Sequence, residues 1–418
     1  MPQRPELSAQ LHVDGSRLQA EIDQLASLSD TPAPSVTRVL FTPTDMQGRD
    51  YVKSLMRDAG LDIVEDAAGN IFGRWHGQAE GAVGTGSHCD AIPHAGKYDG
   101  TVGVLGGIAA VRALKDAGFT PNKTIDVIMF TAEEPTRFGI GCSGSRMMGG
   151  AVSAEELDAL EDEDGITFAQ ARAGAGYAGE LASVELRDDS YQHFVELHIE
   201  QGPVLEREAV QIGVVTAIAA PASFKISFHG TGGHAGTVLM PDRKDAMVPA
   251  AQLITLAEQL ARDSHSDDTV ATVGIVEVHP GAINSIPRDV TISFDIRDTD
   301  LACREEIVAQ ILRRAAELAQ ERDLAHEVEM INADPPAHAD EDIQSAVVAA
   351  CEDASLTYMP LVSRAYHDSL FIARKAPMGM IFVPSKDGIS HRPDEYTSTE
   401  EMQQGVMVLA ATLARLAG

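Results

Sequence analysis

The sequence is poor in cysteine and has no long hydrophobic run. Its 418 residues include only four cysteines, and these lack the paired spacing of a disulfide framework: Cys89, Cys142, Cys303 and Cys351. We therefore expect reduced thiols, buried as small apolar side chains. No run of 18 or more apolar residues occurs, which excludes a membrane-spanning helix, and residues 1–7 lack the apolar core of a signal peptide. These absences predict a cytoplasmic protein with no membrane partner.

Basic residues are also scarce. The chain has 32 Lys and Arg against 63 Asp and Glu, a formal net charge of −31. Nucleic acid is excluded as a partner, because phosphate backbones are bound by basic surfaces. Acidic runs at residues 155–158 and 161–164 are typical of a hydrated helix and its exit loop. An anionic substrate would therefore need a local basic anchor.

The length of the chain exceeds what one hydrophobic core usually holds, so two domains are expected. Between residues 214 and 333 the pattern predicts strands at 224–228, 269–278, 290–296 and 327–331 and helices at 245–262 and 303–323. This βαββαβ order is ferredoxin-like. We predict an α/β protein in which residues 1–213 and 334–418 form a mostly parallel-sheet domain and residues 214–333 form an inserted α+β domain.

A stretch rich in possible metal ligands follows the strand predicted at residues 82–86. His88 and Asp99 lie in an open turn that ends where a helix begins after Gly100. In open α/β sheets such turns at the carboxyl ends of strands collect ligands. Asp90 is placed to accept the imidazole N–H of His88 that does not face an ion. Taken alone, the stretch fits an ordinary polar loop equally well, because short motifs often occur by chance.

Three more apolar segments end in polar side chains. Residues 125–130 lead to Glu133 and Glu134, residues 194–199 contain His198, and residues 380–384 precede His391. Adjacent acids at a strand end are commonly just solvated, and a lone histidine is usually structural. However, parallel strands end at the same sheet edge, so these groups are expected near His88 and Asp99. One of the two glutamates could then bind an ion while the other transfers protons.

The inserted domain carries polar residues that its own fold does not obviously need. His234 lies in a glycine-rich loop at residues 230–236, and Asn284 lies in a second loop at 281–285. Arg297 ends a predicted strand. Its alternative role is a weak surface salt bridge with Asp295 or Asp298.

In this order, the motifs resemble the di-metal aminoacylase and N-carbamoyl-L-amino-acid hydrolase superfamily. The residues that carry the resemblance are 87–90 (SHCD), 99–100 (DG), 133–134 (EE), 198–202 (HIEQG), 233–236 (GHAG) and 390–391 (SH). Within the superfamily, five stretches are most similar to the ureidoglycolate amidohydrolases: residues 90–93, 96–99, 134–140, 279–287 and 363–369. The last stretch is the most telling, because carbamoylase-like relatives tend to have small residues where Arg364 and Tyr366 stand.

The resemblance implies a metallopeptidase-like catalytic domain with two divalent metal ions, and an inserted domain that serves as lid and dimerisation domain of a homodimer. Asp99 would bridge the ions, with His88 and His198 on one ion and Glu134 and His391 on the other. Imidazole and carboxylate ligands without thiolate suit Mn²⁺, Zn²⁺, Co²⁺ or Ni²⁺. The resemblance favours Mn²⁺.

The resemblance also implies roles for the remaining residues. Glu133 would be the general base, and His234, contributed by the other subunit, would stabilise the oxyanion. Arg297 would anchor a substrate carboxylate. Polar contacts to the substrate would come from Gln201 and Asn284, and Tyr366 and His367 would line the pocket near its hydroxyl group.

The implied reaction is hydrolysis of the ureido group of (S)-ureidoglycolate to glyoxylate, ammonia and carbon dioxide, a step of purine and allantoin catabolism. Allantoate and N-carbamoyl-L-amino acids are the alternative substrates, because the corresponding enzymes share the metal ligands. A peptidase or deacylase is disfavoured, because Gln201 and Asn284 suit a ureido acid. A catalytically silent binding protein is also disfavoured, because the five ligands and the base are all present.

Overall fold

A computed structural model describes residues 10–418, so the signal-peptide prediction for residues 1–7 lies outside the described residues. The chain divides into two units. The first contains the described residues up to Thr216, together with His338–Ser363 and His367–Gly418. The second contains Ala217–Ala337 and Arg364–Tyr366.

The strands, in chain order, are β1 Val36–Arg38, β2 Asp62–Glu65, β3 Ile71–Trp75, β4 Ala82–His88, β5 Ala91–Ala95, β6 Thr124–Phe130, β7 His193–Ile199, β8 Ile212–Ile218, β9 Ala220–His229, β10 Gly233–His234, β11 Val270–Thr272, β12 Val276–His279, β13 Ser285–Ile286, β14 Asp289–Asp298, β15 Ala325–Ala333, β16 Ala337–His338, β17 Tyr358–Ser363 and β18 Met378–Val383. The α-helices are α1 Gly15–Ser27, α2 Pro43–Asp58, α3 Thr101–Asp116, α4 Ser143–Met148, α5 Ala154–Ala159, α6 Phe168–Gly174, α7 Val204–Glu208, α8 Met247–Arg262, α9 Leu301–Glu321, α10 Glu341–Asp353, α11 Ser369–Ile372 and α12 Thr399–Ala417.

The first unit is built on a nine-stranded sheet. Its order is β16-β8-β18-β7-β4-β6-β3-β2, with β17 paired to β8. The four central strands β18, β7, β4 and β6 run parallel, and β8 and β3 flank them antiparallel. Four carboxyl ends therefore meet at one edge, which is where ligands collect in open α/β sheets. The predicted α/β fold with a mostly parallel sheet is confirmed.

The side chains of β6 alternate between two hydrophobic cores, one on each face of the sheet. Ile125, Val127 and Met129 belong to one core and Ile128 and Phe130 to another, because successive strand side chains point to opposite faces. The first core includes residues of α1, α3, α10 and α12, and the second includes residues of α4 and α6. A strand with both faces covered must be apolar throughout, as residues 125–130 nearly are.

The second unit is an antiparallel sheet in the order β11-β14-β9-β15, with β12 also paired to β14. Helices α8 and α9 contribute apolar residues to its core, including Leu253 and Ile311, together with Phe224 and Phe294 from the sheet. Helix α9 begins at Leu301 because the Asp300 carboxylate accepts hydrogen bonds from the first-turn N–H groups of Ala302 and Cys303. The main elements follow one another as β9, α8, β11, β12, β14, α9 and β15, and the short strands β10 and β13 pair with each other.

Two local predictions were wrong. The single strand predicted at 269–278 is two short strands, β11 and β12, separated by a break that contains Gly274. The turn predicted between His88 and Gly100 contains a strand, β5, which pairs with β1. In both places the partner strand determines the local structure, and the local pattern does not reveal the partner. No helix within residues 10–418 is long and apolar enough to span a membrane.

Candidate metal centre

The side chains singled out from the sequence lie at the carboxyl edge of the parallel strands. His88 is the last residue of β4, and His198 is the penultimate residue of β7. Glu133 and Glu134 follow β6, and His391 lies in the loop after β18. Asp99 immediately precedes Gly100, the residue before α3. The topology alone thus brings together residues up to about three hundred positions apart.

Five of these side chains form two groups that share Asp99. The first group is His88, Asp99 and His198, and the second is Asp99, Glu134 and His391; the ligand atoms within each group lie within 4.8 Å of one another. His198 Nε2 lies 3.3 Å from Asp99 Oδ1, and His391 Nε2 lies 3.1 Å from Asp99 Oδ2. Each Asp99 oxygen therefore faces a different group.

Two imidazoles are oriented by main-chain carbonyls. His198 Nδ1 donates to the carbonyl of Ile199 at 2.9 Å, and His88 Nδ1 donates to the carbonyl of Asp90 at 3.1 Å. Because Nδ1 is the donor to these carbonyls, Nε2 is the ring nitrogen that each imidazole presents to Asp99 Oδ1, and His198 Nε2 also accepts the Gly100 N–H at 3.1 Å. The Asp90 carboxylate lies beside the donor nitrogen of His88, with Oδ1 3.5 Å from His88 Nδ1. It also accepts the main-chain N–H groups of Glu133 and Glu134, at 3.2 and 3.0 Å, and so positions the two glutamates.

Burial and crowding of like charges shift the pKa values of the acids. Burial raises the pKa of Glu133 well above its ordinary value and that of Glu134 to about 7. Burial would also raise the pKa of Asp99, but hydrogen bonds with His198 and His391 outweigh it and hold that pKa well below 3.8. Hydrogen bonding to Asp99 raises the pKa of His391 to about 9. The cluster therefore needs positive charge, from protons or from cations.

The donor set suits divalent metal ions. It offers three imidazole nitrogens and two carboxylates, with His88, His198 and Glu134 almost fully buried. A buried excess of carboxylates is costly unless it is paired or binds a metal ion. No thiolate competes, because burial raises the pKa of the Cys142 thiol well above 9.0. Imidazole with carboxylate is the preference of first-row divalent ions.

Glu133 lies beside both groups without belonging to either. Its Oε2 is 3.8 Å from His88 Nε2, and its Oε1 accepts the Cys142 thiol at 3.5 Å. The preceding residue, Ala132, has a φ of 53°, an uncommon conformation for a residue with a side chain. The loop is held there because the carbonyls of Ala132 and Glu133 accept the N–H groups of Ser143 and Cys142. Glu133 is thus fixed on a rigid turn.

Gln201 and His367 also contact this cluster. Gln201 Nε2 donates to Asp99 Oδ2 at 3.0 Å and to Ser390 Oγ at 3.1 Å, while its Oε1 is buried without a hydrogen-bond partner. His367 is 2% exposed, packs edge-on against the His198 ring with centroids 4.5 Å apart, and is hydrogen-bonded to Ser363. Its ring contact therefore helps to hold the His198 imidazole in place.

The other predicted residues belong to the second unit. Strands β10 and β13 pair His234 with Ser285, and the carbonyl of Asn284 accepts the Ala235 N–H at 2.9 Å, so the two predicted polar loops lie together. Arg297 makes two hydrogen bonds to Asp295, at 2.8 and 3.1 Å. The guanidinium also donates to the carbonyl of Arg364 at 2.5 Å. The Asp295 pairing is one of the two alternatives that the sequence left open.

The second unit also contains Tyr366. Its hydroxyl donates to Asp334 at 2.9 Å.

Sequence reasoning missed Glu395. This carboxylate is 5% exposed and accepts the main-chain N–H groups of Tyr98 and Asp99 at 2.9 and 3.1 Å. The available signal was an acid four residues after His391 in a loop that carries a ligand. Acids are frequent in this chain, so that signal is weak.

Residues 84–415 match the family described as Peptidase family M20/M25/M40. The chain belongs to this family. It is also 53% identical over 416 residues to a ureidoglycolate hydrolase of Oryza sativa subsp. japonica, covering 98% of this chain and 86% of the relative. An N-carbamoyl-L-amino acid amidohydrolase of Geobacillus stearothermophilus is 38% identical, covering 97% and 99%.

Crystal structures of AtUAH are also similar to this family member. They contain glyoxylate in one case and (S)-hydroxyglycine in the other, and both are 51% identical, with a TM-score of 0.86 and coverage of 98% of this chain and 99% of AtUAH.

Proposed function

We propose that this chain is a metal-dependent amidohydrolase that hydrolyses the ureido group of (S)-ureidoglycolate to glyoxylate, two ammonia and carbon dioxide, in purine and allantoin catabolism. The observation that carries the proposal is the identity of 53% over 98% of the chain with a ureidoglycolate hydrolase, against 38% with a carbamoyl-amino-acid hydrolase. The AtUAH complexes with glyoxylate and (S)-hydroxyglycine fit the expected product and intermediate of this reaction.

His88, Asp99 and His198 would hold one divalent ion, and Asp99, Glu134 and His391 a second, with Mn²⁺ as the proposed metal and Zn²⁺, Co²⁺ or Ni²⁺ as alternatives. Bound ions would supply Lewis-acid polarisation of the ureido carbonyl and lower the pKa of water. Asp90 would keep Glu133 and Glu134 in place through its two main-chain hydrogen bonds. The centre would thus be pre-organised by its neighbours.

Glu133 would transfer the proton. Its carboxylate would take a proton from the attacking water and return it to the departing nitrogen as the C–N bond breaks. Its position supports this role, because Oε2 lies 3.8 Å from His88 Nε2 and the carboxylate belongs to neither ligand group. The carbamate released would decay to carbon dioxide and ammonia, and hydroxyglycine would collapse to glyoxylate and ammonia.

The substrate contacts are proposals as well. The unpartnered Gln201 Oε1 is a free acceptor for an ureido N–H. Arg297 would bind the substrate carboxylate. His234 would stabilise the oxyanion, and Asn284, in the adjoining loop, would hydrogen-bond the polar groups of the substrate. Tyr366 and His367 remain predictions as pocket residues near the hydroxyl.

We also propose a homodimer formed through the second unit. Strands β11 and β15 lie at the edges of its sheet and carry large exposed apolar side chains: Val270, Val328, Met330 and Ile331. Unpaired edges of this kind pair readily with another chain. Met330→Lys should shift the sedimentation coefficient towards a monomer, whereas a wild-type protein that sediments as a monomer would contradict the proposal. The four buried free cysteines fit a reducing compartment, and we propose the cytoplasm.

The test is ammonia release by the metal-stripped protein, with and without added Mn²⁺. Freshly generated ureidoglycolate, allantoate and an N-carbamoyl-L-amino acid are assayed side by side. We expect Mn²⁺-dependent turnover of ureidoglycolate with glyoxylate as co-product. Preference for either other substrate would overturn the substrate assignment while leaving the metal centre, and activity independent of any divalent ion would overturn both.

A further inference from the structure

Glu395 is a buried carboxylate in an otherwise exposed part of the loop after β18. Residues 391–394 and Tyr396 are exposed, whereas Glu395 is 5% exposed. A buried carboxylate is costly unless its oxygens accept hydrogen bonds. Here Oε1 accepts two main-chain N–H groups and Oε2 accepts the Ser390 hydroxyl at 3.0 Å. The burial is therefore compensated by a specific set of donors.

These donors come from two loops that both carry metal-ligand candidates. Oε1 binds the segment that ends in Asp99, and Oε2 binds the residue directly before His391. Ser390 Oγ also lies 3.3 Å from Asp99 Oδ2, which closes a ring of contacts around the shared ligand. One side chain thus ties together two loops almost three hundred residues apart in sequence.

The fit around Glu395 is close. A Cβ on Gly96 would lie 2.4 Å from Glu395 Cβ and Oε1, so only glycine leaves room for the carboxylate there. His391 has a φ of 58°, a conformation that residues with a side chain rarely adopt and that needs support from its surroundings. Among the ligand candidates, His391 is also exposed, at 47% of its side chain, and therefore depends on its loop for position.

We propose that Glu395 is a positioning residue for the ligand group Asp99, Glu134 and His391. It holds Asp99 from the main-chain side and Ser390 from the other, and so sets the position of His391 relative to Asp99. The group His88, Asp99 and His198 depends on it less, because both imidazoles are oriented by carbonyls elsewhere. This inference rests on the metal-dependent function proposed above.

The test measures binding of Mn²⁺ alone to the metal-stripped full chain by isothermal titration calorimetry, with elemental analysis of the bound metal. We expect two Mn²⁺ per wild-type chain. Glu395→Ala should bind one ion normally and the second about 10- to 100-fold more weakly, the usual effect of losing a group that orients a ligand. Glu395→Gln keeps an acceptor at Oε1 and should retain both ions.

Glu401→Ala is the matched control. Glu401 is a nearby glutamate that contacts no ligand candidate among the described residues. Its replacement removes the capping-box contact with Ser398 at the start of α12. This control should bind two ions. Ser390→Ala is measured if Glu395→Ala does not fold. It removes the hydroxyl that contacts Glu395 Oε2, Asp99 and Gln201, and a weaker second ion in this variant supports the proposal.

Three results would overturn it: two ions of wild-type affinity in Glu395→Ala or, failing that, in Ser390→Ala; the same loss in Glu401→Ala; or an equal loss in Glu395→Gln, which would assign the effect to charge rather than position. A wild-type chain that binds none of Mn²⁺, Zn²⁺, Co²⁺ and Ni²⁺ would refute the metal-dependent function itself, so the two failures are distinguishable.

Discussion

Asp99 combines burial with three neighbouring imidazoles, those of His88 and His198 at Oδ1 and that of His391 at Oδ2. Removing a carboxylate from water costs several kcal/mol, so a cluster that also contains Glu133 and Glu134 is stable only with compensating positive charge. Asp90, Gln201 and Glu395 hold this cluster through the main chain or the side chain of its members. We therefore expect single substitutions to separate the binding of metal and substrate from proton transfer.

Glu133→Gln should lower kcat by about 10²- to 10⁴-fold, because an amide cannot take the proton of water. Metal content should stay near two ions per chain, because Glu133 belongs to neither ligand group. Ammonia release and elemental analysis measure the two effects. Glu134→Gln is the matched control and should lose metal as well as activity. Turnover close to wild type in Glu133→Gln would remove Glu133 as the base.

Arg297→Ala should raise KM for ureidoglycolate by about ten- to a hundredfold with little change in kcat, the usual cost of losing a charged hydrogen bond. Asp295→Asn is the informative partner variant, because it loosens the salt bridge that holds the guanidinium. Its KM should equal or fall below the wild-type value. If KM is unchanged in Arg297→Ala, the Asp295 salt bridge is the whole role of this arginine.

Helix α3 connects the metal centre to the core of the first unit. Its residues are almost all buried, and it contacts α12 as well as strands β4 and β7. Glycines with positive φ stand at both of its ends, Gly100 before the first turn (62°) and Gly118 after the last (74°). Their surroundings differ: a Cβ at Gly100 would lie 2.3 Å from the His88 ring, whereas a Cβ at Gly118 would meet nothing within 4 Å.

Gly118→Ala should therefore cost only the backbone strain, about 1 to 2 kcal/mol of unfolding free energy, with unchanged Mn²⁺ binding. Gly100→Ala adds a clash with His88 and should lower both the Tm and the affinity for the ion held by His88. Thermal denaturation and calorimetric titration of the pair separate the two effects. Equal metal affinity in both variants would show that Gly100 serves the turn alone.

At the scale of the whole molecule, the metal-free protein should lose stability as pH rises from about 5 to about 9. Burial raises the pKa of Glu134 and of Glu395 to about 7, and hydrogen bonding to Asp99 raises that of His391 to about 9. A group whose pKa is raised by folding stabilises the fold below its unfolded pKa and loses this contribution as pH passes the folded value. Protons therefore stabilise the empty centre.

Bound Mn²⁺ should supply the positive charge that these protons supply in the metal-free protein. The Tm should then depend less on pH. The measurement is the Tm of chelator-treated and Mn²⁺-loaded protein at several pH values in this range. The loaded protein should also have the higher Tm, because an ion that binds only the folded state stabilises it. A Tm of the metal-free protein that rises with pH would contradict this electrostatic account.

Much of the first unit was predictable from local pattern. The apolar run at residues 125–130, followed by Glu133 and Glu134, predicts a covered strand with functional acids at its end, and the structure has β6 there. His88, His198 and His391 were placed by the same rule, because parallel strands share a carboxyl edge. Assignment of specific roles needed the likeness to a known family.

Partner-dependent features could not be read from the sequence. The pairing of β5 with β1 and the break before β12 depend on which segments become neighbours. Asp90 is a good example: its spacing from His88 predicts the contact between the two side chains, but its hydrogen bonds with N–H groups more than forty residues away are visible only in the structure. The local spacing of residues does not reveal hydrogen bonds between segments that are far apart in the sequence.

The sequence by itself determined the alternating strands, the helix ends, the ligand types and their positions at strand ends, because side-chain periodicity and donor chemistry are local properties. Only the tertiary structure decided which oxygen faces which imidazole and that Glu395 joins the Asp99 and His391 loops. These contacts arise because burial forces each polar atom to find a partner, and the partner available depends on the packing of the entire sheet edge.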